Sequence, residues 1–108
     1  MPFRDYEDND FLNRGGYWFR QGHIFQVPFY YIDYTLAQVC AFQFWIKFKE
    51  DRNTAWEDYV RLCKAGGSMP FSELVKYAGL KVPFEDGCIS EVVGPIKEWL
   101  DGVDDTKF

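Results

Sequence analysis

The sequence contains one histidine, His23, and only three cysteines, which lie far apart at Cys40, Cys63 and Cys88. A structural zinc site needs about four cysteine or histidine ligands, usually spaced in close pairs. This sequence has no Cys-x-x-Cys pair, so it excludes a self-contained zinc site. An odd number of scattered cysteines also argues against a disulfide framework and predicts buried free thiols in a reducing cytoplasm.

The sequence also lacks a block of basic residues. Its 12 lysines and arginines are outnumbered by 17 aspartates and glutamates, which gives a formal net charge of -5. Nucleic-acid-binding proteins carry clustered positive charge, so this class of partner is excluded. Acidic residues collect near both ends, at 5–10 and 101–105, where they are typical of solvated tails.

No uninterrupted apolar segment is long enough to cross a membrane. The run 29–48 has the length of a membrane-spanning helix, about 20 residues, but Asp33, Gln38, Gln43 and Lys47 interrupt it. A charge near the centre of a bilayer costs about 3 kcal/mol or more, which disfavours a membrane partner. No apolar leader precedes the polar N-terminal residues, so the predicted location is the cytoplasm.

What remains is a core-rich chain of 108 residues, with 47% hydrophobic and 20% aromatic residues. Its apolar spacing predicts an all-α fold and a single helical segment over 1–108. Residues 1–27 are rich in glycine and polar groups, which predicts a loop lead-in. A long helix is expected over 28–50, starting at Pro28, and shorter helices over 53–102.

Local signals predict where the shorter helices begin and end. Asn53 is the expected N-cap of a helix that ends at Gly66, and a third helix is expected from about Pro70 to Gly79. A fourth helix is expected to begin near residue 89, and Pro95 should kink it or split it.

The predicted helices do not provide enough surface to bury the long helix. This helix is apolar nearly all round, and such helices are normally buried. Three shorter helices cover only part of it, and the aromatic run 17–19 adds more apolar surface. Soluble monomers rarely expose so large a patch. We therefore expect either self-association of the isolated chain or burial against the upstream part of a larger protein.

The stretch HIFQVPFYYIDY places three tyrosines after the histidine. If a helix starts at Pro28, Tyr30 and Tyr31 each lie one turn from Tyr34, near the unpaired N–H groups of the helix N-terminus. With His23 folded back over that end, these donors would suit a negative charge that develops on oxygen. The spacing equally fits core tyrosines with satisfied hydroxyls and a surface histidine.

Two longer stretches resemble a known family. RQGHIFQVPFYYIDYTLAQVCAFQFW and WEDYVRLCKAGGSMPFSELVKYAGL are similar to the C-terminal part of oligoendopeptidase F, a thimet-oligopeptidase-like zinc metallopeptidase. The resemblance implies a mostly helical peptidase with a deep cleft for short peptides. In that family zinc is held by H-E-x-x-H and a further glutamate. This sequence has no H-E-x-x-H, so no metal ligand is assigned within it, and the zinc ligands are expected upstream of residue 1.

The resemblance also implies roles for individual residues. His23 and Tyr34 match catalytic positions that stabilise the tetrahedral intermediate, and Tyr31 and Tyr30 match substrate-binding positions. The implied function is the substrate-binding and oxyanion-stabilising part of a zinc metalloendopeptidase that hydrolyses short peptides, inactive without the zinc motif. The alternative is a non-enzymatic helical interaction module with an exposed aromatic face.

Overall fold

The computed structural model describes residues 4–104 and Thr106, and every regular element within these residues is a helix. The all-α prediction is thus confirmed. Residues 1–3, 105, 107 and 108, to which the predictions for the lead-in and the acidic tail extend, lie outside the described residues. The α-helices are α1 (Asp10–Asn13), α2 (Gly22–Gln26), α3 (Ile32–Glu50), α4 (Arg52–Ala65), α5 (Phe71–Tyr77) and α6 (Cys88–Asp101).

The chain divides into two compact units, Met1–Asp33 and Tyr34–Phe108. The first unit contains short helical turns where a loop was expected, namely α1, a 3₁₀ helix (Gly16–Arg20) and α2. The second unit contains nearly all of α3 together with α4, α5 and α6.

Aromatic rings hold the first unit together. Trp18 and Phe19 stack with their ring centroids 4.1 Å apart, and Phe25 lies 5.3 Å from Trp18 and 5.6 Å from Phe19. Gly16 is buried beneath the ring of Phe11, where an added Cβ would come within 2.4 Å of ring carbons. Only glycine fits this approach. The rings of the stack remain exposed on their outer side.

The long helix begins four residues later than the sequence predicts. Residues 28–31 form a turn, and α3 starts at Ile32 rather than at Pro28. The cause is Phe29, whose φ of 67° lies in the left-handed region that a helix cannot use and that strains a bulky residue. The ring of Phe29 is 95% exposed, so packing within this chain does not explain the strain.

The second unit has two small buried clusters along α3. Phe44 packs with residues of α5 and the segment that follows it, which are Val75, Ala78, Leu80 and Val82. Val39 packs with Cys88 and Val92 of α6. Phe44 and Val39 are the two buried residues of α3, as expected for a long apolar helix that three shorter helices cover only in part. Its remaining residues are half-buried or exposed because three shorter helices cannot surround it.

A buried carboxylate links three parts of the second unit. Asp58 of α4 is only 8% exposed and accepts hydrogen bonds from Lys47 of α3 and from Arg61. The Lys47 ammonium also donates to the carbonyl oxygen of Gly79 at 3.2 Å, and the Arg61 Nε donates to that of Tyr77 at 3.0 Å. The charges of Asp58 therefore hold α3 and α4 against the end of α5.

A second polar link fixes the segment between α5 and α6. The Gln43 Nε2 donates to the Lys81 carbonyl oxygen at 2.9 Å, and the Lys81 N–H donates to the Gln43 Oε1 at 2.8 Å. One side-chain amide thus pairs with both backbone groups of one residue. This satisfies groups that would be costly to leave unpaired in a part-buried position.

The ends of the shorter helices agree with the sequence predictions except at two places. The N-cap of α4 is Asp51, not Asn53, because the Asp51 carboxylate accepts the N–H groups of residues 53 and 54. At the other end, Gly66 terminates α4 with a φ of 51°. Helix α6 runs through Pro95 without the predicted split. The preceding Gly94 has no side chain to clash with the proline ring.

The cysteines are free, but their burial differs from the prediction. Cys88 is buried and Cys40 is half-buried, and burial raises the pKa of both thiols. Cys63 is exposed, so the expectation of three buried thiols is wrong at this position. Among the described residues, no helix has the length and apolar character that a bilayer span requires.

The exposed apolar surface leads to a prediction for the isolated chain. Large side chains on α3, α4, α5 and α6 are about half exposed, among them Phe42, Trp56, Phe71 and Trp99. Because soluble monomers rarely expose so many, we expect concentration-dependent self-association in sedimentation velocity and binding of a hydrophobic dye. A compact monomer at all concentrations, without dye binding, would contradict this expectation.

Candidate functional site

Three of the four predicted site residues lie together in the first unit. His23 is in the first turn of α2, not in a loop as predicted. Its ring centroid is 5.6 Å from that of Tyr31 and 6.4 Å from that of Tyr30. The backbone returns the chain toward the histidine, because the Val27 N–H donates to the His23 carbonyl oxygen and the Tyr30 N–H donates to that of Val27.

Tyr34 lies in the first turn of α3 and is the first residue of the second unit. Because α3 begins at Ile32, Tyr30 and Tyr31 are in the preceding turn, and the predicted one-turn spacing of the three tyrosines along one helix is not formed. The side chains of His23 and the three tyrosines are all exposed. They are therefore not core residues within this chain.

A cavity of about 690 Å³ adjoins this cluster within the first unit. Tyr31 contributes to its lining together with polar residues that sequence reasoning did not select, namely Arg4, Tyr6, Asn13, Tyr17 and Gln21. The hydroxyl of Tyr6 is buried and has no hydrogen-bond partner within the part of the chain that the structure describes. These residues were missed because they are scattered through the predicted loop lead-in and share no motif.

Two arginines converge on the phenol of Tyr17. The Arg4 Nη1 donates to the Tyr17 hydroxyl at 2.7 Å, and the Arg20 Nη1 donates to it at 3.2 Å. Burial acts to raise the pKa of Tyr17, but the hydrogen bonds from Arg20 and Arg4 outweigh it, so this pKa lies below its ordinary value. Arg4 thus brings a positive charge to the lining of the cavity, and Arg20 brings a second one to the same phenol.

The described residues do not fit a metal ion. Over residues 4–104 and Thr106, no three histidine, cysteine, aspartate or glutamate side chains are placed to hold one. Zinc, which the family resemblance implies, would have to be bound by residues outside the described part of the chain.

Comparison with solved structures gives the class of protein to which this helical arrangement corresponds. A structure described as an oligoendopeptidase F is 64% identical over 99% of this chain, with a TM-score of 0.87. PZ peptidase A, solved with an inhibitor, is 60% identical over 97% of the chain, with a TM-score of 0.86. A protein described as an oligoendopeptidase F from Bacillus anthracis str. Ames is 47% identical over 99%, with a TM-score of 0.74.

The chain therefore has the sequence and fold of a peptidase segment. It spans about 19% of the length of each of these relatives. The predicted resemblance to oligoendopeptidase F is confirmed by these matches over nearly the whole chain. No family model matches the chain, and neither does a curated protein sequence.

Proposed function

We propose that the chain is the C-terminal part of the catalytic domain of a zinc metalloendopeptidase that hydrolyses short peptides. The observation that carries this proposal is the match to peptidase structures over nearly the whole chain at high sequence identity. The free thiols of Cys40, Cys63 and Cys88 support a reducing, cytoplasmic location for the enzyme.

Within this proposal, His23 and Tyr34 are catalytic donors. They would donate hydrogen bonds to the oxygen of the scissile carbonyl as negative charge builds in the transition state. Tyr31 and Tyr30 would bind the neighbouring peptide backbone. The close placement of both rings beside His23 supports a shared peptide-binding surface.

The proposal assigns zinc and the attacking water to the remainder of the peptidase. Because the described residues do not form a metal site, the contribution of this chain is to bind and orient the peptide and to stabilise the oxyanion. The turn over residues 28–31 supports this role, since strained backbone is frequent at functional sites.

The second candidate is a non-enzymatic interaction module. It is favoured by the exposed stack of Trp18, Phe19 and Phe25 in the first unit, which could dock a partner protein. In the peptidase, the same apolar surface would be covered by the upstream part of the enzyme. The two candidates differ in whether any protein that carries this segment has peptidase activity.

A comparison of the isolated chain with the longer protein tests the proposed function. We expect the 108-residue chain to bind no stoichiometric zinc and to cleave no peptide, because the ligand set is absent from its described residues. We expect the longer protein to cleave short peptides and to lose this activity when a chelator is added. A chain that cleaves peptides alone, or a longer protein that cleaves none, would contradict the proposal.

A further inference from the structure

The two arginines that meet at Tyr17 lack an opposite charge. No ion pair joins Arg4 or Arg20 to a carboxylate among the described residues, although both guanidinium groups lie within hydrogen-bond distance of the same phenol. Arg14, in the same unit, does pair with an acid, Asp10, at 2.8 Å. Two like charges gathered on one neutral group repel each other, and a bound anion would remove that repulsion.

A second, independent observation points to a ligand at the same place. The buried hydroxyl of Tyr6, which lines the cavity together with Arg4 and Tyr17, has no hydrogen-bond partner among the described residues. Buried polar atoms are nearly always satisfied, so an orphaned hydroxyl in the same cavity lining as Arg4 indicates a missing acceptor. A carboxylate supplies acceptors for all of these donors, and its planar oxygens match the fork of a guanidinium group.

We propose that this cavity, lined by Arg4, Tyr6 and Tyr17, with Arg20 bonded to the same Tyr17 hydroxyl, binds a carboxylate group of the peptide substrate. The proposal rests on the proposed function, because Tyr31 lines the cavity and also contacts His23. A peptide whose backbone lies on Tyr31 would therefore have Arg4 in the lining of the same cavity. The cavity volume of about 690 Å³ suits the end of a short peptide. The carboxylate comes either from the peptide C-terminus or from an acidic side chain.

Binding of three synthetic probes to the 108-residue chain tests the proposal without requiring turnover. The probes are a tripeptide acid, its C-terminal amide, and an amide of the same length that carries one glutamate. By calorimetry, we expect the acid to bind at least about tenfold more tightly than the plain amide, as for a charged hydrogen-bonded group. If the glutamate amide binds as tightly as the acid, the carboxylate source is a side chain; otherwise it is the C-terminus.

Single substitutions test whether the preference for the acid over the amide arises at this cavity. Arg4→Gln and Arg20→Gln should each weaken binding of the acid about tenfold and leave binding of the amide unchanged. Arg14→Gln is the control, because this arginine is in the same unit but pairs with Asp10 and has no hydrogen bond to the Tyr17 hydroxyl. Tyr6→Phe should weaken binding of the acid yet raise the melting temperature of the unliganded chain, because it removes an unsatisfied buried hydroxyl.

The result that would overturn the proposal is equal binding of acid and amide, or absence of binding to a folded chain. Loss of stability in Arg4→Gln and Arg20→Gln with an unchanged ratio of acid to amide affinity would also overturn it, since the arginines would then pair with another part of the protein. In the longer protein, the KM for the amide should exceed the KM for the acid. In the Arg4→Gln and Arg20→Gln variants, the ratio of these two KM values should fall towards one. If that protein hydrolyses nothing, the proposed function fails while the binding measurement still decides the carboxylate site.

Discussion

Tyr34→Phe in the longer peptidase should lower kcat about tenfold to a thousandfold, which is the range for loss of one donor at an oxyanion site. In the proposed role, the hydroxyl binds charge that exists mainly in the transition state. KM should therefore change much less than kcat. Steady-state kinetics at matched zinc occupancy measures both quantities.

A control variant tests whether removal of any exposed tyrosine hydroxyl lowers kcat. Tyr77 on α5 is exposed to a similar extent, 46% against 51% for Tyr34, and it is not a predicted site residue. Tyr77→Phe should leave kcat unchanged. Tyr31→Phe should act mainly on KM, and His23→Ala should lower kcat. An unchanged kcat in a folded Tyr34→Phe enzyme would rule out the catalytic role of this tyrosine.

Asp58→Ala should lower the free energy of unfolding by about 3 kcal/mol, the low end of the range for breaking a buried ion pair. The low end applies because Lys47 and Arg61 are partly exposed, so solvent screens their charges. Without the carboxylate, Lys47 keeps only backbone carbonyl partners in a part-buried position. Urea unfolding at one fixed protein concentration measures the change, because self-association makes stability depend on concentration.

Two further variants test whether the loss of stability in Asp58→Ala depends on the burial of its ion pair. Asp10→Ala removes an exposed ion pair with Arg14 and should cost less than about 1 kcal/mol. The double variant Asp58→Leu with Lys47→Met replaces the buried pair by apolar groups and should recover most of the loss. If Asp58→Ala costs no more than Asp10→Ala, the network does not stabilise the second unit.

The Asp58 carboxylate should also make the free energy of unfolding depend on pH, with lower stability at acidic pH. The hydrogen bond from Lys47 is the main cause that lowers the pKa of Asp58, against the opposing effect of burial. The contribution of Asp58 to the free energy of unfolding is therefore complete above the ordinary aspartate pKa of about 3.9. It is lost as the pH falls through the lowered pKa of Asp58 in the folded chain. Asp58→Asn should abolish this part of the acid-induced loss, so its stability should fall less steeply at low pH than that of the original chain.

The sequence could predict the fold class because the helical signals are local. Gly66 ends α4 with a positive φ that glycine adopts readily, as the sequence predicts. The start of α3 could not be predicted from Pro28 in the same way. A proline favours a helix start and a turn equally well, and the left-handed backbone at Phe29 decides for the turn.

The candidate site was only partly accessible to sequence reasoning. The stretch around His23 carries a recognisable pattern, so its histidine and tyrosines could be selected, although their roles stay predictions. Arg4, Tyr6 and Arg20 could not be selected, because their proximity arises from how the first unit folds and not from any spacing along the chain. Incomplete cover of α3 could be predicted, but which of its residues stay exposed could not, since that depends on which faces the shorter helices occupy.

The pairing of Gln43 with Lys81 has a consequence for local unfolding. The segment between α5 and α6 has no regular structure, which usually allows a loop to open by itself at little cost. Here opening would break both hydrogen bonds to the Gln43 amide and would expose Leu80 and Val82, which belong to the buried cluster around Phe44. The segment should therefore open only together with α3 and α5, as one cooperative unit despite its irregular backbone.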